Sequence, residues 1–351
     1  MEVNARRIDV NIKYDDKDIS ADLKPYFLSL SYNDVLSGQA DDIQITLREK
    51  DGIWKSEWMP EKGATLTVSL FSTAWKTLNE EQKEFKLGIF EIDEIEYNGY
   101  PETINIKAVS VPDNNTLRGV ERTKSWEKTE LKVIAQEKAD NAGMTLYYDT
   151  DVNPVLDRAE QTQQSDLSFL LQLCNDQGLA LKICNNQIII FDEEKYEAVE
   201  PQITIVKPYT VYEADEKMSY INSCLNYRFT SKVRDIYAAC HVKYQQSKTK
   251  ETIEATFTAP NKQGKVLEVK EQVESVAEAQ RLAKKRLRAK NRDEITGSIS
   301  LIGNFDLVAS TVVNILGYGN FDGKYIITNA KHDIQNGYTT SIDIRRCLDG
   351  Y

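Results

Sequence analysis

The sequence predicts an α+β, mainly β protein laid out as β, α/β, β, with one helix set into the last block. Three observations predict it. Apolar side chains recur at every second position in short runs through residues 1–111 and again through 205–351, the period of strands with one wet and one dry face. From about 116 to 204 the period lengthens to that of amphipathic helices. The 351 residues exceed the size at which one core keeps growing, so two or three domains are expected, and 41% apolar residues can fill them.

In the first block Ile8, Val10, Ile12 and Tyr14 alternate, as do Ile43, Ile45 and Leu47, then Leu66, Val68 and Leu70, then Ile104, Ile106 and Ala108. Such alternation fits a barrel or a sandwich. Phe85 to Tyr97 is a strand with an acidic polar side (Glu91, Asp93, Glu94, Glu96) that turns at Asn98-Gly99, a strong hairpin signal. The run from Val111 through Pro112 to Asn115 ends the pattern.

The middle block, 112–204, is a small α/β module. Leu131, Ile134, Ala135, Lys138 and Ala142 have helical spacing, and Gly143 follows where a left-handed cap belongs. A second helix starts after Ser165, buries Leu167, Leu170, Leu171 and Cys174, and stops at Gly178. Two strands follow, 179–184 and 187–192, joined by Asn185-Asn186.

Strands return in 205–351, at 226–229, 238–244, 253–257, 295–301, 311–316, 324–330 and 339–345. A helix at about 275–292 interrupts them, opened by the capping box of Ser275 and Glu278. Its C-terminal half carries Arg281, Lys284, Lys285, Arg286, Arg288, Lys290 and Arg292, while Val276, Ala279, Leu282, Ala283 and Leu287 form its apolar stripe. Seven cations exceed what the helix dipole requires. In a chain of formal charge −11 they point to docking on an acidic protein surface, with Lys284, Lys285 and Arg288 as the candidate partner-facing residues. A solvated face is the plain alternative, and nucleic-acid binding the weaker one.

Composition excludes several classes. The acidic balance, 55 Asp and Glu against 44 Lys and Arg, opposes a general nucleic-acid platform. No run reaches the roughly 18 to 20 apolar residues of a membrane span, so no stable membrane association is expected. The N-terminus carries Arg6 and Arg7 where a signal peptide needs its apolar stretch. Cys174, Cys184, Cys224, Cys240 and Cys347 are scattered and odd in number, as in reduced thiols made in a cytoplasm.

No catalytic, cofactor or metal site emerges. His241 and His332 are the only histidines and have no local triad partner, and paired Cys or HExxH spacing is missing. Adjacent carboxylates such as Asp41-Asp42 are too common here to mark a glycosidase. The loop from Gly317 through Gly319 to Gly323 joins two strands and opens no helix, so a turn explains it better than a phosphate site. Trp54 and Trp58 could form a platform for sugars or bases, or plug a barrel end, and the plug is preferred.

Three segments resemble the late control protein D family, the tail hubs of contractile phages and related injection machines, and are similar to the N-terminal half of type VI secretion spike proteins. They are Gln164–Ala180 (QSDLSFLLQLCNDQGLA), Val273–Leu287 (VESVAEAQRLAKKRL) and Gly303–Tyr325 with Gly337–Thr340 behind it. The resemblance implies a non-enzymatic homotrimer that joins tail tube protein to spike protein within a baseplate. It implies two tube-like antiparallel β-barrel domains per chain, 1–111 and 205–351, flanking the module, so that three chains present a pseudo-sixfold face. Three copies carry three times −11, suited to a channel through which DNA passes without specific binding. Synthesis in the bacterial cytoplasm and a place in the virion or tail-like particle follow. With the sequence ending at Tyr351, cell-wall cleavage and the spike are expected in other proteins. The rival readings are a baseplate-associated peptidoglycan hydrolase and a carbohydrate-binding tail protein.

Overall fold

The computed structural model describes residues 5–50, 52–77, 80–111, 116–210, 219–245, 251–260, 262–273 and 275–351. Half of it is strand and 17% helix, so the class is mainly β. The chain divides into two compact units. Met1–Asp192, Ser300–Ala309 and Asn329–Ile342 form the first, and Glu193–Ile299, Ser310–Thr328 and Asp343–Tyr351 the second.

The first unit opens with β1 (Arg7–Tyr14), β2 (Lys17–Asp18), α1 (Ser20–Leu23), β3 (Phe27–Val35), β4 (Asp42–Arg48), β5 (Thr65–Thr73), β6 (Lys83–Asn98) and β7 (Thr103–Val109). Their hydrogen-bonded order is β3-β4-β7-β6-β5-β1-β2, antiparallel at every pairing. β6 pairs with β5 through its first half and with β7 through its second, with a register shift between Ile92 and Glu94. Such an irregularity bends a strand and lets a sheet curl. Alternation selects the dry face: Leu30, Ile43, Ile45, Val68, Ile104 and Ile106 enter one buried cluster. β3 obeys the same alternation and completes the sheet.

The same unit continues with α2 (Thr116–Gly119), β8 (Glu121–Glu130), α3 (Leu131–Asn141), β9 (Thr145–Asp149), β10 (Val155–Ser165), α4 (Asp166–Gln177), β11 (Ala180–Cys184) and β12 (Gln187–Phe191). The caps stand where the sequence places them. Ser165 Oγ accepts from the Ser168 N–H at 3.2 Å, and Gly143 and Gly178 have φ of +65° and +70°, which glycine adopts without a Cβ penalty. Asn185 and Asn186 are both left-handed, as a tight hairpin turn requires, and β12 pairs antiparallel with β11 and parallel with β9. The β8–β10 ribbon escapes sequence patterning because it is polar on nearly every position, with Trp126, Ala159 and Gln161 as its buried residues. The expected break at Pro112 to Asn115 lies outside the described residues.

The second unit comprises α5 (Glu193–Glu197), β13 (Ile203–Val206), β14 (Ser219–Ile221), β15 (Cys224–Ser231), β16 (Ala239–Gln245), β17 (Thr252–Thr258), β18 (Val266–Val269) and α6 (Val276–Asn291). The final strands are β19 (Ile295–Ile302), β20 (Val312–Leu316), β21 (Gly323–Ile334) and β22 (Tyr338–Arg346), and the unit boundary falls within β19, β21 and β22. Pairing runs β14-β13-β20-β21-β22-β19-β15. Only Asn222 and Ser223 separate β14 from β15, the two strands at the ends of this path. β13 is parallel to both of its neighbours.

β16, β17 and β18 form a separate sheet on which α6 packs. Ala279, Ala283 and Leu287 of the expected stripe meet Cys240, Val242 and Ile253 there, with Leu282 partly buried against them; Val276, at the helix's first position, is 58% exposed instead. Ser275 Oγ accepts from the Glu278 N–H at 3.1 Å, which confirms the helix start.

Candidate functional site

The cation-rich half of α6 faces acids of its own unit. Lys284 Nζ lies 2.9 Å from Glu194 Oε1, Arg288 donates to Glu197 Oε1 at 2.6 Å, and Arg286 donates to Glu271 at 2.8 Å. Arg345 of β22 adds bonds of 2.5 Å to Glu193 and Glu197. Burial disfavours the Arg345 charge, but the two carboxylates outweigh it and raise its pKa. The short helix α5 is thus an acidic surface on which the basic helix rests, and Lys285 is half-buried. The signal was in the sequence as Glu193, Glu194 and Glu197, 90 to 152 residues away from their partners, where no local rule connects them.

A second surface is the solvated face of the first unit's sheet. Cross-strand register aligns Ser31, Gln44 and Lys107 in one row and Ser29, Thr46 and Asn105 in the next. A third row aligns Asn33 with Asp42, whose carboxylate accepts from Asn33 Nδ2 at 3.1 Å. Residues 329–334 of β21 extend the face beyond β3, bringing Lys331 beside Asn33 and Asp333 beside Ser31. β6 borders the other side with Glu91, Glu94 and Glu96. Lys107 is held by Glu94 at 2.7 Å and Glu96 at 3.2 Å, and Lys331 by Asp333 at 3.2 Å. Over β3 and β4 the outward positions from Ser29 to Asn33 and from Asp42 to Thr46 are short or neutral, unlike the long charged side chains common on solvated sheets.

A third feature is β15, whose Leu225 and Tyr227 are 60% and 44% exposed. Tyr227 and Phe229 pack against Tyr318 at ring separations of 4.9 and 5.1 Å, and Phe229 stacks on Phe321 at 5.2 Å. An exposed apolar edge strand is a surface that assembly ordinarily covers.

The remaining candidates are structural. Trp54 is 3% exposed, donates from its indole N–H to the Arg48 carbonyl at 3.0 Å, and meets Trp58 edge-on at 5.5 Å. Two coplanar exposed rings, which a sugar platform needs, are not formed by this pair. His332 is buried between Tyr32 and Tyr338, and burial lowers its pKa to about 4. His241 pairs with Thr256 at 2.9 Å. Gly317 and Gly319 have φ of +91° and +68°, and Arg346 donates to the carbonyls of Asn320 and Asp322 at 2.9 and 2.8 Å; this loop presents oxygens to a cation and is a turn. Burial pushes the Cys174 and Cys347 thiols up to about 12. Among the described residues no His, Cys, Asp and Glu group could hold a metal ion, and no helix is long and apolar enough to cross a membrane.

One buried ionic cluster was not legible in the sequence. Lys182 of β11 reaches Asp34 at 2.5 Å, Asp41 at 2.9 Å and the Val35 carbonyl at 2.7 Å. Asp34 also accepts from the Ala309 N–H at 2.8 Å, and Asp41 from the Val35 N–H at 2.9 Å. Burial, opposed by Lys182, raises Asp41 to about 6. The cluster ties the first sheet, the module and the 300–309 segment together.

No family model matches the sequence. A probable baseplate hub protein of Escherichia phage 186 is 24% identical over 362 aligned positions, covering 93% of this chain and 90% of that protein. The probable baseplate hub protein of Escherichia phage P2 is 26% identical over 204 positions, 57% of this chain and 50% of that protein, so that match spans half of the relative's length. Among solved structures, the 43 kDa tail protein of prophage MuSo2 from Shewanella oneidensis has 13% identity and a TM-score of 0.70, over 97% of this chain and 98% of its own. An Escherichia coli component of the type VI secretion system, described as structurally similar to phage T4 tail proteins, has 9% identity and a TM-score of 0.58, over 100% of this chain and 77% of its own. At these identities the solved structures share the fold.

Proposed function

From its kinship with the phage baseplate hub proteins, we propose that this chain is the structural, non-enzymatic hub of the baseplate of a contractile phage tail or tail-like injection particle. In this reading it forms a trimer that adapts the sixfold tail tube to the threefold spike and encloses an acidic channel. Blocks 1–111 and 205–351 serve as its tube-like barrels. The observation that carries the reading is the match along 90% of the phage 186 protein, which no single motif could produce.

The exposed β15 edge supports burial in an assembly. Lys284, Lys285 and Arg288 are the proposed partner-facing residues of α6, although Lys284 also pairs with Glu194 and Arg288 with Glu197. The geometry of Trp54 and Trp58 gives the carbohydrate reading no support.

Native mass spectrometry of the chain with its spike protein tests the trimer: three copies are expected, and stable dimers alone at high concentration count against it. Tail particles purified without the chain in their baseplate would overturn the hub reading itself.

A further inference from the structure

We propose that Lys138 of α3 and Gln161 of β10 become joined by an isopeptide bond that forms without an enzyme, with Asp166 at the start of α4 carrying the proton. The proposal is independent of the hub reading, since it concerns chemistry inside the first unit.

α3 turns Leu131, Ile134, Ala135 and Ala139 toward the module's core, and Lys138 stands in that same buried stripe. Lys138 is 1% exposed, Gln161 1% and Asp166 0%. Three polar side chains in one closed pocket are costly to desolvate unless they satisfy one another. They do so in a fixed order. Lys138 Nζ donates to Gln161 Oε1 at 2.7 Å and to Asp166 Oδ1 at 2.7 Å. Gln161 Nε2 donates to the same Asp166 Oδ1 at 2.8 Å and to the Gln164 carbonyl at 2.8 Å. These two acceptors on Nε2 turn the amide so that its carbonyl, and not its nitrogen, meets the lysine.

Adding a C=O bond of about 1.2 Å to the 2.7 Å contact puts Gln161 Cδ within about 4 Å of Nζ. A small rotation brings the two atoms to the near-attack separation of about 3 to 3.5 Å. The rings of Trp126 and Phe169, stacked 5.1 Å apart, lie 4.8 and 5.7 Å from the lysine nitrogen and help close the pocket to solvent. Arg122 Nε lies 3.7 Å from the other carboxylate oxygen of Asp166, which leaves Oδ1 as the atom facing both nitrogens.

The reaction needs nothing from outside the pocket. Asp166 Oδ1 takes one proton from Lys138 and leaves a neutral amine, the nucleophilic form. Nζ attacks Gln161 Cδ, and protonated Asp166 hands its proton to Nε2. The Cδ–Nε2 bond breaks, ammonia departs, and an amide between Nζ and Cδ remains. The surplus proton on Nζ passes through Asp166 to the ammonia, so one ammonium ion is released, the carboxylate is restored, and no atom changes oxidation state.

The fold gives such a bond a use. The β8–β10 ribbon is two-stranded and its buried residues are Trp126, Ala159 and Gln161, and a two-stranded ribbon has little stability of its own. An amide from Gln161 to Lys138 fastens it to α3 where an apolar core is missing.

Intact-mass and tandem mass spectrometry of the purified full chain, fresh and after prolonged incubation at neutral pH, test the bond. The expected mass falls below that of the sequence by about 17 Da, one ammonia, and digestion yields a branched peptide joining residues 138 and 161. Asp166→Asn keeps the side chain's size without the proton carrier and should slow the mass loss about a hundredfold. Lys138→Arg should abolish it, and circular dichroism checks that both variants are folded. Full mass in the incubated parent chain overturns the proposal, whatever the variants do. So does a branched peptide through Asp166 with loss of water, about 18 Da, because Asp166 would then be the group attacked. Undiminished cross-linking in folded Asp166→Asn overturns it as well.

Discussion

Replacing Lys182 by Met removes the cation shared by Asp34 and Asp41 while nearly keeping the side chain's volume. Both carboxylates are nearly buried, with side-chain exposures of 8% and 3%, so neither can recover the lost interaction from water. Breaking one partner of such a buried group costs about 3–5 kcal/mol. The lower end is expected, because Asp34 keeps the Ala309 N–H and Asp41 keeps the Val35 N–H. The pH dependence gives a second signature. Asp41 titrates at about 6 in the fold against an ordinary 3.8; an acid raised in this way contributes stability that is full below its unfolded pKa and lost as pH rises through the folded one. Without Lys182, whose charge and hydrogen bond hold it down, Asp41 rises further, so the defect should be largest above pH 7 and shrink toward pH 4.5. All four tryptophans, Trp54, Trp58, Trp75 and Trp126, lie in the first unit, so urea unfolding followed by tryptophan fluorescence reports that unit. A loss below about 1 kcal/mol at pH 7.5, the size of an exposed pair, would refute the reasoning, as would a loss that stays constant down to pH 4.5. Adding Asp34→Asn and Asp41→Asn to Lys182→Met should recover more than half of it.

Other outcomes follow from single side chains. His332, lowered to about 4 from 6.5 by burial, stays neutral in the fold while the unfolded chain takes up a proton below 6.5; stability of about 3 kcal/mol is therefore lost as pH falls from 6.5 through 4, and His332→Gln should flatten that fall in unfolding midpoints measured at pH 7 and 4.5. Ser165→Ala deletes the acceptor for the Ser168 N–H and should lower stability by about 1 kcal/mol in chemical denaturation. Arg288→Ala removes a charge-assisted bond to buried Glu197 but leaves Arg345 in place, for a loss of about 2 kcal/mol, read by calorimetry. Gly303→Ala sets a Cβ 2.0 Å from the Tyr338 ring; overpacking of about 3 kcal/mol should appear as a lowered melting temperature.

The strands and helices that sequence reasoning finds are those with a strong local period. The alternation through Ile43 and Ile45, the stripe of Ala279, Ala283 and Leu287, and the caps at Ser165, Gly178 and Ser275 all act within a few residues, so the code for them is local and readable. The ribbon of β8 and β10 is missed because it buries few apolar side chains, and α5 is missed because five residues give no period. The excess of cations on α6 was visible, but not where they point: Glu193 and Glu197 reach Arg288 and Arg345 only after some 90 to 150 residues of intervening chain have folded.

By itself, then, the amino-acid order determined the mainly β class, the position and ends of α3, α4 and α6, the glycine turn at 317–323 and the likeness to tail hubs, since periodicity, capping and motif order are properties of neighbouring residues. Tertiary structure decided the rest. It divided the closing segment between two units, assembled Lys182 with Asp34 and Asp41, buried Trp54, and lined up Ser31, Gln44 and Lys107 in one row. Register between distant strands is set by how whole sheets bury their dry faces, and that depends on the entire chain at once.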